Sequence, residues 1–290
     1  MRVPSVPPTP PDRPATGPTR RQWLAHHGGW AARLGLGAPA GLGAMPWLAS
    51  AAHALPLRTL VFPRDHGSHP DLRTEWWYIT GHAQAAGRLW GFQVTFFRSR
   101  VDTAQGLQSA LAAKQLLCAH AALTDVQGQR LLHDQRIARA GFGVAQASEA
   151  DTRIRLHDWQ LARSDTQAPA HPTVPPTADV STAGVQRQRD ASRYTARIAA
   201  GPFSLDLVCD STQPVLVQGQ QGLSRKGPLP EQASYYYSQP QLAVSGSITL
   251  EGRRMAISPA SGRAWMDHEW SEALLHPAAV GWDWIGMNLH

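Results

Sequence analysis

Two stretches decide the fold: "EWWYITGHA", Glu75–Ala83, and "WGFQVTFFRS", Trp90–Ser99. In an extended chain, successive side chains point to opposite faces. The first stretch therefore sets Trp76, Tyr78 and Thr80 against Trp77 and Ile79. The second sets Phe92, Val94 and Phe96 against Gln93, Thr95 and Phe97. The same period recurs in "QLLCAHAALTDV" (115–126), "RIRLHDWQLA" (153–162), "RYTARI" (193–198), "FSLDLVCD" (203–210), "PVLVQG" (214–219), "LAVSGSITLEG" (242–252) and "RAWMDHEW" (263–270). Turn chemistry separates them, most clearly at "AAGR" (85–88), "VQGQR" (126–130) and "LEGRR" (250–254). Short alternating strands with regular turns predict an all-β fold, an antiparallel sandwich or barrel. Phe92, Val94, Phe96, Leu205, Leu207, Val244 and Ile248 are the expected core.

Helical signals are nearly absent. Leu107–Leu117 has helix-forming composition but reads as a loop entering a strand. Ser164–Ser192, rich in Pro, Ser and Thr, reads as a mobile surface loop.

Charge is concentrated at the front. Of the net +6, most lies in residues 1–54, where Arg2, Arg13, Arg20, Arg21 and Arg33 face Asp12 alone. No basic run interleaves with aromatics elsewhere, so no nucleic-acid partner is expected. The twin arginines of "TRRQWL" (19–24) precede a mildly apolar, Gly- and Pro-rich stretch and a small-residue site, Ala52-His53-Ala54. This order predicts a twin-arginine export signal and a periplasmic or secreted destination, with a disordered basic tail as the alternative. Cys118 and Cys209 could pair in an oxidising compartment or remain buried thiols.

Three constellations could carry chemistry. "FPRDHGSHPDLRTEWWY" (62–78) brings His66 and His69 near Asp65, Asp71 and Glu75. On an extended segment residues three apart diverge, so no metal site is expected. A polar strap leading into the first strand fits better, with Arg73 and Glu75 in ion pairs. In "AWMDHEW" (264–270), Met266, His268 and Trp270 share one face, and Trp265, Asp267 and Glu269 share the other. Burial there would tune an acid for proton transfer, or the group is a structural hydrogen-bond network. In "GWDWIG" (281–286), Asp283 stands between Trp282 and Trp284, as a buried acid or as a loop cap. Consecutive tyrosines in "YYYS" (235–238) could line a barrel mouth. There is no G-x-S-x-G elbow, phosphate loop or dinucleotide fingerprint.

The blocks "HPDLRTEWWYITG", "GFQVTFFR", "ASYYYSQPQLAVSGSI", "AWMDHEWS" and "GWDWIGMNL", in that order, resemble the lipocalin-like family of carotenoid 1,2-hydratases and their exported relatives, the predicted secreted hydrolases. The resemblance implies two consecutive lipocalin-like β domains with a ligand site between them. It implies acid–base addition of water to a terminal C=C of an apolar isoprenoid or lipid, without a cofactor. Asp283, His268 and Trp270 are the catalytic residues it implies. Trp282, Tyr236, Trp76 and Glu269 are the expected ligand contacts. Gly281 and Trp282 stand where the hydratases carry a tyrosine, which departs from the hydratase pattern. An exported lipid-binding protein without turnover is the alternative. The expected partner is an apolar small molecule, with peripheral membrane contact. In the family the W-D-W block opens the second domain, whereas this chain ends at His290. The expected organisation is thus a signal over 1–54, a lipocalin-like domain over 55–262, and the start of a truncated second domain over 263–290.

Overall fold

The computed structural model describes residues 54–166, 191–273, 276, 278–281 and 283–288. Fourteen strands are present among them: β1 Thr74–Ala85, β2 Arg88–Arg100, β3 Gln115–Asp125, β4 Arg130–Arg139, β5 Ala145–Ala147, β6 Arg153–Leu156 and β7 Trp159–Asp165; then β8 Ser192–Ala199, β9 Phe203–Asp210, β10 Leu216–Val217, β11 Leu223–Arg225, β12 Ala233–Leu250, β13 Arg253–Ala256 and β14 Gly262–Ser271. They form one antiparallel sheet in the order β4-β3-β2-β1-β14-β12-β9-β8-β7-β6-β5, with β10, β11 and β13 paired to β12. The sheet curls until β3 and β4 approach β6, giving a nearly closed barrel of lipocalin type. No α-helix occurs among the described residues. Leu107–Lys114 is a loop entering β3, as expected.

Local chemistry explains the hairpins. Ala86-Gly87 and Glu251-Gly252 both take positive φ, the two-residue turn whose twist matches that of the flanking strands. β12 changes partners along its length. Its register against β14 shifts between Gln239 and Leu242, where Pro240 has no N–H to give the ladder. Beyond that bulge the strand pairs with β9.

Alternation sorts the side chains as the period predicts. Phe92, Val94, Phe96, Leu205, Leu207, Val244 and Ile248 are all buried inside the barrel, with Trp77, Ile79, Trp159 and Trp270. Their burial from water is the main stabilising contribution. Cys118 and Cys209 are free thiols on β3 and β9.

The expected boundary at 262/263 does not match the sheet. β14 lies between β1 and β12, in register with β1 from Thr74↔Ser271 to His82↔Arg263. An interior strand satisfies both hydrogen-bonding edges, so residues 263–271 belong to this barrel. The expected export signal over 1–54, apart from Ala54, lies outside the described residues, as do 167–190 of the expected mobile loop.

Candidate functional site

β1 and β14, with β2 and β12 on either side, present two different surfaces, one on each face. Inside the barrel, register brings Arg98, Glu75, Trp270 and Tyr235 into one cross-strand row. Phe96, Trp77, His268 and Tyr237 form the next row. The strap before β1 closes over these rows. It makes a short 3-10 turn at Arg64–His66 instead of running extended. His66 and His69 are therefore both buried, not turned apart as the extended geometry would have them. Trp77 Nε1 and Thr152 Oγ1 both donate to the His66 carbonyl and pin the strap. Of the expected ion pairs, Arg73 finds Asp102 at the surface and Glu75 finds Arg98 inside.

Glu75 is the hub. Its Oε2 accepts from Ser68 Oγ at 2.8 Å, the His69 amide at 2.9 Å and Arg98 Nε at 2.8 Å. Its Oε1 faces His69 Nδ1 at 2.7 Å and His268 Nε2 at 3.0 Å. Burial alone would push this carboxyl up, but hydrogen bonds from His268 and His69 outweigh it and hold the group well below the usual carboxylate range. Burial brings His268 down to about 4, against the opposing pull of Glu75. Its imidazole is thus neutral near pH 7, with Nε2–H donating to Glu75 and Nδ1 accepting from Tyr237 Oη at 3.2 Å. Tyr237 Oη also meets His66 Nδ1 at 2.7 Å. His69 Nε2 faces Asp65 Oδ1 at 3.0 Å, and its ring stacks on Trp270 at 3.9 Å. Asp65 is lowered to about 2: burial opposes this, but bonds from His69, the Val61 amide and Arg58 prevail. These groups satisfy one another in a water-poor interior, a pattern that locks geometry.

The outer face of the same strands is different. Cys118, Phe97, Trp76, Glu269 and Tyr236 lie in one cross-strand row over β3, β2, β1, β14 and β12. The next row carries His120, Thr95, Tyr78, Asp267 and Ser238. Trp76, Tyr78, Trp265 and Tyr236 are half-buried, while Asp267 and Glu269 are buried. Burial raises the Glu269 carboxyl, although Lys226 Nζ at 2.7 Å and Ser234 Oγ partly oppose this. Lys226 also stands 4.8 Å over the Tyr236 ring. Ser238 Oγ and Trp265 Nε1 donate to Asp267 Oδ1 at 2.6 and 2.7 Å. The Tyr236 hydroxyl is pushed above its usual range, first by burial and then by the Asp267 charge. A buried acid beside half-open aromatic rings can donate a proton to an apolar ligand lying on them.

The seven residues singled out in the sequence thus divide. Trp76, Glu269 and Tyr236 meet on the outer face. His268 and Trp270 face the interior, where His268 is bonded to Glu75 and Tyr237. Asp283 is exposed and lies in none of the described strands. Trp282 lies outside the described residues. Asp65, His69, Glu75, Arg98, Tyr237 and Lys226 were not among the seven. Alternation alone gave Glu75 the same parity as Trp77 and Ile79, the one available signal that it points inward.

This chain matches the model of the AttH-like family over residues 53–290. The chain belongs to that family. A crystal structure of a provisionally assigned AttH from Nitrosomonas europaea is 39% identical, with a TM-score of 0.62 over 78% of this chain and 60% of that one. The chain therefore spans about three-fifths of the length of that AttH structure. Kievitone hydratase from Nectria haematococca aligns over 76% of this chain and 54% of its own, at 13% identity and a TM-score of 0.43. No curated protein sequence matches the chain.

Proposed function

We propose that this AttH-like chain is the acid-bearing part of an exported, hydratase-like protein acting on an apolar isoprenoid or lipid taken up at a membrane periphery. One observation carries the proposal: Glu269, a buried carboxyl raised by desolvation, lies in a cross-strand row between the half-buried rings of Trp76 and Tyr236. Hydration of a trisubstituted alkene begins with protonation. In this scheme the Glu269 carboxyl gives its proton to the less substituted carbon, and the π electrons form the new C–H bond. The tertiary cation lies against Trp76 and Tyr236, whose faces stabilise it by about 1–2 kcal/mol each when desolvated. Water adds to the cation and yields a proton to Asp267, next along the same face. Glu269 takes the acid role first assigned to Asp283. His268, bonded within the core, acts through the position of β14 and not on the ligand.

The second reading is an exported lipid-binding protein without turnover. The Lys226–Glu269 pair favours it, because an ion pair keeps the carboxylate charged. Acyclic isoprenoids with a terminal trisubstituted alkene, incubated with the protein in ¹⁸O-water, distinguish the two. Labelled tertiary alcohol supports the hydratase, and binding without label supports the carrier. Label formed at an undiminished rate by Glu269→Gln overturns the assignment of the acid.

A further inference from the structure

The geometry points to a divalent transition-metal site inside the barrel, formed by His69 Nδ1, His268 Nε2 and Glu75 Oε1. It is independent of the outer-face chemistry proposed above. These three atoms lie within 4.8 Å of one another, and all three side chains are buried. Two imidazoles and one carboxylate are a donor set that suits zinc and its neighbours.

The outer partners strengthen the case. In metal centres a ligating histidine usually gives its other ring nitrogen to a carboxylate or similar group, which fixes the tautomer. Here His69 Nε2 lies 3.0 Å from Asp65 Oδ1, leaving Nδ1 turned inward. His268 Nδ1 lies 3.2 Å from Tyr237 Oη; with Nδ1–H donating to that oxygen, the reverse of the metal-free arrangement, the Nε2 lone pair is left facing inward. Glu75 Oε2 is held by Ser68 and Arg98, leaving Oε1 at the meeting point. Each candidate donor is thus anchored through its far atom, and the near atoms converge. Ser68, Asp65 and Arg58, which braces Asp65 at 3.1 Å, all lie on the strap or just before it.

The fit is close but not finished. His69 Nδ1 and His268 Nε2 stand 2.7 and 3.0 Å from Glu75 Oε1. Metal bonds of about 2.0–2.1 Å separate neighbouring ligands by about 2.9–3.4 Å, so His69 Nδ1 must withdraw from Glu75 by a few tenths of an ångström while His268 Nε2 already stands at a fitting distance from it. The metal would replace the protons that now bridge these atoms. Binding must therefore release protons and tighten as pH rises. Arg98 opposes the added charge, and the Asp65 carboxylate offsets it.

The test uses the full chain, stripped with a chelator and then equilibrated with Zn²⁺ or Co²⁺, with refolding in the metal as a second loading route. One metal per chain is expected, with proton release in calorimetry and tetrahedral-type visible bands for Co²⁺. His69→Ala should abolish stoichiometric binding, and Asp65→Asn should weaken it about 10- to 100-fold. X-ray absorption on the wild-type zinc form should show two imidazoles and one carboxylate, which decides the matter even if a variant fails to fold. Absence of stoichiometric binding by either route overturns the inference. So does binding that survives His69→Ala unchanged, or a ligand shell without two imidazoles.

Discussion

Tyr235 and Tyr237 point inward from the same strand two residues apart, so one chemical change can be made in two environments. Tyr237 is completely buried, and its hydroxyl joins His66 Nδ1 at 2.7 Å to His268 Nδ1 at 3.2 Å. Tyr237→Phe removes both bonds at once in a place without replacement water. A lost hydrogen bond costs about 0.5–1.5 kcal/mol, and a buried group left without its partner about 1–3 kcal/mol. The sum for Tyr237→Phe is about 2–4 kcal/mol. The Tyr235 hydroxyl donates to the carbonyl of exposed Pro56 at 2.6 Å. Water can take over that carbonyl, and Arg58 remains stacked on the ring, so Tyr235→Phe should cost about 1 kcal/mol or less. Urea unfolding at pH 7, with chelator present, measures both. In thermal scans the larger loss should lower Tm by about 5–12 °C. If Tyr237→Phe costs no more than Tyr235→Phe, the inner polar network does not hold the barrel together as described.

If Glu269 is the acid, turnover requires its protonated form, so the rate should fall as pH rises through the elevated Glu269 pKa. Glu269→Gln should cut it by about 100-fold or more while ligand binding persists, measured by ¹⁸O incorporation. Burial pushes the Cys118 thiol to about 11 and the Cys209 thiol to about 12, so little thiolate exists at pH 8. Fully buried Cys209 should resist a disulfide reagent in the folded protein and half-buried Cys118 should react slowly, both reacting promptly in urea; rapid native labelling of Cys209 would contradict its burial. Residues 1–54 fused to a reporter that requires the twin-arginine route should export it, and changing both Arg20 and Arg21 to Lys should stop export.

The sequence by itself determined most of the long strands and the parity of the residues along them, because both follow from the backbone's period of two, whereas β4, the short β5, β11 and β13, and the first half of β12 with its bulge were not read from it. "EWWYITGHA" and "AWMDHEW" each announced two faces, and the seven expected core positions are all buried. Hairpin turns such as "AAGR" were equally legible, being set by four adjacent residues. What the sequence could not decide was which strands lie side by side. Glu75 and His268 are 193 residues apart, and their contact exists because β14 returns to pair with β1. No local signal encodes that pairing, so β14 could be taken for the beginning of another domain. The strap was misjudged for a similar reason: whether His66 and His69 diverge depends on a short turn favoured by contacts to Trp77 on the following strand and to Thr152, far along the chain. Parity divided the D-H-E-W block into two faces, but only the assembled sheet made one face a sealed polar core and left the other half-open. Burial, and with it the opposite displacements of Glu75 and Glu269, comes from neighbours that meet only when the barrel closes.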